Sequence, residues 1–342
     1  MRIDKLTKKE IVDFLADNDK SRLEEFAVKA GRITAAQFGK VISLYAPIYL
    51  ANYCENNCVY CGFRASGGIK RKKLTLGQIE SEMKIVSGSG IRNILLLTGE
   101  SRKMSPVSYL IDAVNIAKKY FSSISLEVYP LDTEEYRALY SAGVDGVTVY
   151  QETYDRKRYD ELHLSGKKKD YEYRYNTPER IALSGIRTIS MGILAGLSDL
   201  ADDLFSLFGH LEYMEKNYPG VEYSVSFPRL IKEPDDETDY RNITDIDLVK
   251  CIILTRLNFP RVGINLSTRE KASLRDHALS FGITRISAAS NTSVGGYVEG
   301  VQDDPQFRVK DLRSLKEIEN VLRARGFDPV YTDWRRIDNP PV

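Results

Sequence analysis

The chain has 342 residues, enough for one large domain or two ordinary ones. Its 42% hydrophobic and 28% charged content excludes a disordered polypeptide. A formal net charge of +1 gives no electrostatic reason to expect nucleic acid or an acidic membrane surface as partner.

The first stretch, MRIDKLTKKEIVDFLADNDKSRLEEF, interleaves charged and apolar residues at helical spacing and lacks the apolar core of a signal peptide. No segment approaches the ~20 apolar residues that cross a bilayer, so a cytoplasmic protein is expected. Two or three helices are predicted up to about Tyr45. Residues 1–45 therefore read as an N-terminal helical extension, and residues 46–342 as a barrel domain ending in a helical segment. Strands are predicted over residues 47–52, 93–97, 124–129, 144–150, 188–194, 221–227, 262–266 and 284–287.

Helical patterns separate most of these strands. LTLGQIESEMKIVSGSG ends on glycine, as a helix C-terminus does. SPVSYLIDAVNIAKKY is expected to open with Ser105 as N-cap and Pro106 as the first helical residue. TEEYRALYSAG and TPERIALSG repeat that grammar. The basic run Lys70-Arg71-Lys72-Lys73 reads as a solvated loop. Eight strands alternating with helices predict an α/β fold of the closed TIM-type (β/α)8 kind, with an open or incomplete barrel as the alternative.

Such barrels carry function at the C-terminal ends of their strands. Here the first strand runs into a cysteine loop and the second into Thr98-Gly99-Glu100. Glu127 and Tyr129 close the third, and Gln151 and Glu152 follow the fourth. Ser226 and Arg229 end the sixth; Ser267, Thr268 and Arg269 end the seventh; Ser287 ends the eighth. Polar groups directly after so many apolar runs predict one shared site.

NYCENNCVYCGF, residues 52–63, holds three of the four cysteines as Cys54-x3-Cys58-x2-Cys61. A structural zinc site needs four ligands. The fourth cysteine, Cys251, lies in a helical pattern and reads as a buried, inert thiol. His210 and His277 read as helix-surface residues, and His163 in ELHLSGKKKDY as a candidate to line the pocket. Thiolates are the usual ligands of iron–sulfur clusters. A four-iron cluster on three cysteines keeps one iron free of protein ligand, which is a place for a substrate or cofactor. An electron carrier would complete its cluster with a fourth cysteine.

The Cys-x3-Cys-x2-Cys spacing, with Tyr60 before the last cysteine, resembles the signature of the radical S-adenosylmethionine (SAM) enzymes. PIYLANYCENNCVYCGF, GIKRKKLTL, LLLTGES, GVTVYQETYD, LSGKKKDY, GILAGLSD, YSVSFPRL, NLSTRE and SVGGY together resemble the 2-iminoacetate synthase family, the tyrosine lyases of thiamine biosynthesis. They cover roughly residues 40 to 335. The resemblance implies a [4Fe-4S] cluster on Cys54, Cys58 and Cys61, with SAM chelating the open iron. It implies cleavage of L-tyrosine at Cα–Cβ to 2-iminoacetate and p-cresol, with methionine and 5′-deoxyadenosine formed from SAM.

The resemblance also suggests roles residue by residue. Thr98, Gly99 and Glu100 would receive the SAM amino group. Glu152 would hold the ribose hydroxyls, Arg174 the SAM carboxylate, and Tyr60 would lie beside the adenine. Arg269 is the expected anchor for the tyrosine carboxylate, with Ser287 as a second hydrogen bond and Arg229 as a competitor. Glu127 and Tyr129 are candidates for the phenol end. A low-potential donor of flavodoxin or ferredoxin type and a thiazole synthase are the implied partners. The rival within the same chemistry is the hydrogenase-maturation tyrosine lyase, which carries further cysteines in a C-terminal extension; no cysteine follows Cys251 here. A related lyase for another aromatic amino acid is the remaining alternative.

Overall fold

A computed structural model describes residues 6–230, 239–300 and 305–332. All eight predicted strands form: β1 (Val41–Ala51), β2 (Asn93–Thr98), β3 (Ser123–Glu127), β4 (Gly146–Thr148), β5 (Thr188–Gly192), β6 (Glu222–Ser226), β7 (Gly263–Leu266) and β8 (Arg285–Ser287). They pair in parallel in the order β2-β3-β4-β5-β6-β7-β8-β1, and β1 returns to β2, closing the barrel. The barrel is therefore closed, as expected, and not the open or incomplete alternative. No helix among the described residues is long and apolar enough to cross a membrane.

The strands alternate rather than running continuously apolar. Outward-facing Ile42, Leu44, Ile48 and Leu50 of β1 are buried beneath the helices. Inward-facing Ser43, Tyr45, Pro47 and Tyr49 line a cavity instead. The same period of two places Ser125 and Glu127 of β3, Ser190 of β5, Ser224 and Ser226 of β6, and Gly263 and Asn265 of β7 on the inside. TIM barrels are commonly filled by branched apolar layers. Small polar side chains leave this one hollow, with a cavity of about 630 Å³.

Two details depart from expectation at the N-terminal side. β1 begins at Val41, six residues before the predicted start, directly after the helices Lys8–Ala16 and Lys20–Phe38. A ninth strand, β9 (Asp328–Val330), pairs in parallel with β1. Ser43 pairs with both Arg285 and Val330, so β9 occupies the edge of β1 that β2 takes further along. Its proline and three-residue length hid it from pattern reading.

Most helix ends follow the predicted grammar. Thr75 and Gln78 form a capping box at the start of Leu76–Gly88, and Gly185 closes Thr177–Ser184 in the left-handed conformation. Ser105 is not the N-cap predicted. Its amide is tied back to the Ser101 carbonyl at 2.9 Å, so Pro106 takes the cap position and the helix runs Val107–Ala117. Cys251 lies fully buried in the helix Asp245–Asn258, as an inert thiol should.

Candidate active site

The cysteine loop follows β1 and is stapled at its base. Asn52 donates to the Lys70 carbonyl at 2.9 Å and accepts the Lys72 amide at 2.7 Å. Arg71 donates to the carbonyls of Asn52 at 2.6 Å, Phe63 at 2.9 Å and Arg64 at 2.6 Å. The basic run predicted as a solvated loop thus closes the cysteine loop, because backbone carbonyls there need donors that no sheet supplies. Lys72 pairs with Glu299, and Lys73 lies 4.1 Å from the Tyr109 ring centroid.

Within the loop, the Cys61 amide donates to the Cys58 carbonyl and the Arg64 amide to the Cys61 carbonyl, both at 3.1 Å. All three cysteines are free thiols. Burial pushes their pKa values up, that of Cys58 to about 12. Neutral thiols are what burial alone produces; a bound metal centre deprotonates them. Among the described residues no three Cys, His, Asp or Glu side chains converge on a point that would hold a single ion. Three thiols in one loop, with Cys251 buried in a separate helix, fall short of the four ligands of a structural zinc, whereas thiolates are the usual ligands of an iron–sulfur cluster, so the donor set fits such a cluster.

The end of β2 abuts this loop closely. The Gly99 amide donates to the Ala51 carbonyl at 2.8 Å. A Cβ on Gly99 would stand 2.3 Å from the Tyr53 carbonyl oxygen, so only glycine fits. Asn56 links three segments: its side chain donates to Glu100 Oε2 at 2.7 Å and accepts the Lys168 amide at 3.0 Å. The Thr98 hydroxyl is buried and has no protein partner.

Glu100, Glu152 and Arg174, from three distant stretches, meet directly. Arg174 donates to Glu100 Oε1 at 3.0 Å, to Glu152 Oε1 at 3.4 Å and to the Tyr150 carbonyl at 2.7 Å. Lys168 completes the group, 2.6 Å from Glu152 and 3.7 Å from Glu100. Burial alone would raise both carboxyls; at Glu100 the Arg174 and Lys168 charges outweigh it, and at Glu152 those of Lys168 and Arg174 do, so both sit below the ordinary range. Lys168 carried no assigned role in the sequence reading. Three consecutive lysines announce a basic turn but not which one points inward. The short 3-10 turn Lys167–Lys169 leaves its neighbours exposed and turns Lys168 in.

Tyr60 lines the cavity beside Cys61. Its hydroxyl lies 2.8 Å from His163 Nε2, while His163 Nδ1 lies 2.6 Å from the Tyr159 carbonyl. A carbonyl only accepts, so Nδ1 carries the proton and the Tyr60 hydroxyl donates to Nε2. Burial lowers the His163 pKa to about 4, which keeps the ring neutral. Contrary to the sequence expectation, His163 does not line the cavity but stands behind Tyr60, which does. His210 is not a surface residue: it stacks on Tyr175 at 4.2 Å, and burial lowers its pKa to about 4. His277 is exposed on its helix.

Arg269, Ser287 and Glu127 line the same cavity as Tyr60 and Glu152. The Arg269 guanidinium stacks over Phe307 at 4.0 Å, and its Nε is buried without a partner. It forms no ion pair among the described residues. Ser287 accepts the Thr268 amide at 2.9 Å, tying β8 to the loop after β7. Burial, helped by the charge of Glu152, raises the Glu127 carboxyl to about 7. Two other candidates point elsewhere. Arg229 is occupied by Glu270 at 3.0 Å, Asp245 at 2.5 Å and the Ile243 carbonyl at 2.9 Å. Tyr129 donates to the Ser105 carbonyl at 2.6 Å, away from the cavity lining.

A closed parallel barrel whose first strand delivers three cluster-type cysteines to its C-terminal mouth defines a class. The profile of the Radical SAM superfamily matches residues 48–207, and that of the Biotin and Thiamin Synthesis associated domain matches residues 226–328. The chain belongs to the radical SAM superfamily and, within it, to the family of the 2-iminoacetate synthases. It is 38% identical to the 2-iminoacetate synthase of Salmonella typhimurium over 330 residues, covering 96% of this chain and 88% of that protein. Identity to the Escherichia coli 2-iminoacetate synthase is also 38%, with the same coverage. Among solved structures, the FeFe-hydrogenase maturase HydG from Carboxydothermus hydrogenoformans superposes with a TM-score of 0.89 at 32% identity, covering 96% of this chain and 76% of that one.

Proposed function

We propose that this chain is a radical SAM lyase that breaks the Cα–Cβ bond of L-tyrosine, giving 2-iminoacetate and p-cresol for the thiazole branch of thiamine biosynthesis. Cys54, Cys58 and Cys61 would hold a [4Fe-4S] cluster, and Thr98, Gly99, Glu100, Glu152, Arg174 and Tyr60 would hold SAM. The chemistry supplied there when both are bound is reductive cleavage of SAM to methionine and a 5′-deoxyadenosyl radical able to take a hydrogen atom from the substrate amino group.

The observation that carries the substrate reading is Arg269: a cation facing the cavity with no carboxylate partner among the described residues. An amino-acid carboxylate supplies the missing counter-ion through the guanidinium fork. Ser287 would support it by fixing the loop that carries Thr268 and Arg269. Glu127, held close to neutral by burial, offers the phenol end a proton or an acceptor according to pH. A donor of flavodoxin or ferredoxin type in the cytoplasm would supply the electron, and a thiazole synthase would take the imine.

The test is an anaerobic assay with the cluster reconstituted and a strong reductant, SAM and tyrosine supplied. Matched formation of 5′-deoxyadenosine and p-cresol is expected. SAM cleavage without p-cresol would keep the superfamily chemistry and remove the tyrosine-lyase reading. The structural likeness to HydG favours a second reading, a hydrogenase-maturation-type lyase. Carbon monoxide released along with p-cresol would select it.

A further inference from the structure

Two buried side chains on the helix Leu200–Asn217 have no part in the chemistry proposed above. Asp203 is 2% exposed and His210 is 4% exposed, and seven residues place them on one helical face. Both address the segment that follows Glu152. Asp203 Oδ1 accepts the Thr153 hydroxyl at 2.9 Å and the Tyr154 amide at 2.7 Å. His210 Nδ1 lies 3.0 Å from the Tyr154 hydroxyl.

That segment needs holding. Glu152 has φ 72°, in the left-handed region that residues bearing a Cβ seldom enter. Such a conformation persists only where its surroundings over-determine it. On the barrel side, Gln151 donates to the Gly192 carbonyl at 3.1 Å, and the Glu152 carbonyl accepts the Leu194 amide at 2.9 Å. Beyond Glu152 the sheet supplies nothing, and the Tyr154 amide depends on Asp203. We propose that Asp203 is a positioning residue: by fixing Thr153 and Tyr154 it holds the backbone turn that delivers the Glu152 carboxylate to Lys168, Arg174 and the ligand cavity. The inference rests on the reading of Glu152 as a SAM-binding residue.

Three variants of the cluster-reconstituted protein test it: Asp203→Ala, Asp203→Asn and Thr153→Val. SAM affinity is read by equilibrium dialysis, beside iron content and melting temperature. Asp203→Ala should weaken SAM binding about tenfold or more, because the buried Thr153 hydroxyl and Tyr154 amide both lose their acceptor. Iron content should not change. Asp203→Asn, which keeps an acceptor oxygen, should stay within about threefold of the parent, and Thr153→Val should fall between. In a Glu152→Ala background, Asp203→Ala should cost no further affinity, which a merely structural role would not predict.

Parent-like affinity in both Asp203→Ala and Thr153→Val, or full additivity with Glu152→Ala, would overturn the proposal. If Asp203→Ala does not fold, the Thr153→Val and Asp203→Asn comparison with Glu152→Ala decides in the same way. Normal SAM binding by Glu152→Ala itself would remove the SAM-site reading and this inference with it. Lost binding in Glu152→Ala with parent-like Asp203 and Thr153 variants would remove this inference alone.

Discussion

Replacing Arg269 with alanine isolates the proposed substrate anchor from the fold. The guanidinium has no ion pair among the described residues to break, and burial lowers its pKa, so the protein bears a desolvation cost to keep it there. A hydrogen bond to a charged group contributes about 1.5–3 kcal/mol. At about 1.4 kcal/mol per factor of ten, Arg269→Ala should raise the KM for tyrosine about 10- to 150-fold. kcat should change little if the carboxylate is held equally in ground and transition states. Arg269→Lys should fall between, because it keeps the charge but loses the planar fork. The melting temperature of Arg269→Ala should be unchanged or slightly higher. Arg229→Ala is the control: it strands Glu270, only 2% exposed, and should cost about 3–5 kcal/mol of stability. The measurement is p-cresol against tyrosine concentration, with single turnovers separating binding from chemistry and a denaturant melt of each variant. An unchanged KM in Arg269→Ala, or a stability loss matching that of Arg229→Ala, would refute the reasoning.

Gly99→Ala should lose SAM affinity while the barrel still melts cooperatively, since its Cβ would meet the Tyr53 carbonyl at 2.3 Å and push the cysteine loop from the end of β2; dialysis against SAM checks it. Glu127→Gln should stabilise the apoprotein at high pH only. The folded pKa of about 7 lies above the ordinary 4.5, so the penalty is absent below about 4.5 and grows as pH rises, to as much as ~3 kcal/mol above 7. Urea melts at both ends of that range measure it, and equal effects at the two would contradict the assignment. Serine at Cys54, Cys58 or Cys61 should abolish stable iron loading, whereas Cys251→Ser should retain iron and lose about 1–3 kcal/mol of stability from a hydroxyl buried in the helix core.

Barrel architecture was legible because eight short β-rich runs alternate with helical patterns along the chain. Within SISLE, TISMG, YSVSF and GINLS, small or polar residues recur at every second position, and Ser125, Ser190, Ser224, Ser226, Gly263 and Asn265 among them face the hollow interior. A filled barrel would have shown unbroken apolar runs, which do not separate inside from outside. The cysteine spacing and the strand ends likewise gave the residues of one mouth, since a strand's end is where the chain must turn polar. What pattern could not show is contact between distant segments. Arg71, Lys168 and Asp203 each look like ordinary surface charge in their local stretch. Their meaning lies in the partner: loop carbonyls for Arg71, Glu152 for Lys168, the Tyr154 amide for Asp203. Arg229 and Arg269, alike in sequence, diverge for the same reason. Glu270 turns onto Arg229, and Arg269 forms no ion pair among the described residues.

The charges at the mouth also constrain what can enter. Glu100, Glu152, Lys168 and Arg174 are each at most 15% exposed, and two carboxylates balance two cations. Buried charges are tolerated only when paired. A ligand bearing one carboxylate, or one ammonium alone, would leave a member of this quartet uncompensated. A zwitterion can insert without that cost: its carboxylate engages one cation, its ammonium engages one carboxylate, and the total stays zero. The amino-acid end of SAM has that form. Elsewhere on the cavity lining the balance differs. Arg269 has no ion-pair partner among the described residues, and Glu127, raised to about 7, is only partly ionised at neutral pH, so a ligand there gains by presenting a carboxylate to the one and an uncharged polar group to the other. Tyrosine, with a carboxylate at one end and a neutral phenol at the other, meets both demands, whereas an acidic side chain would bring a second negative charge beside a carboxyl that burial already holds partly protonated.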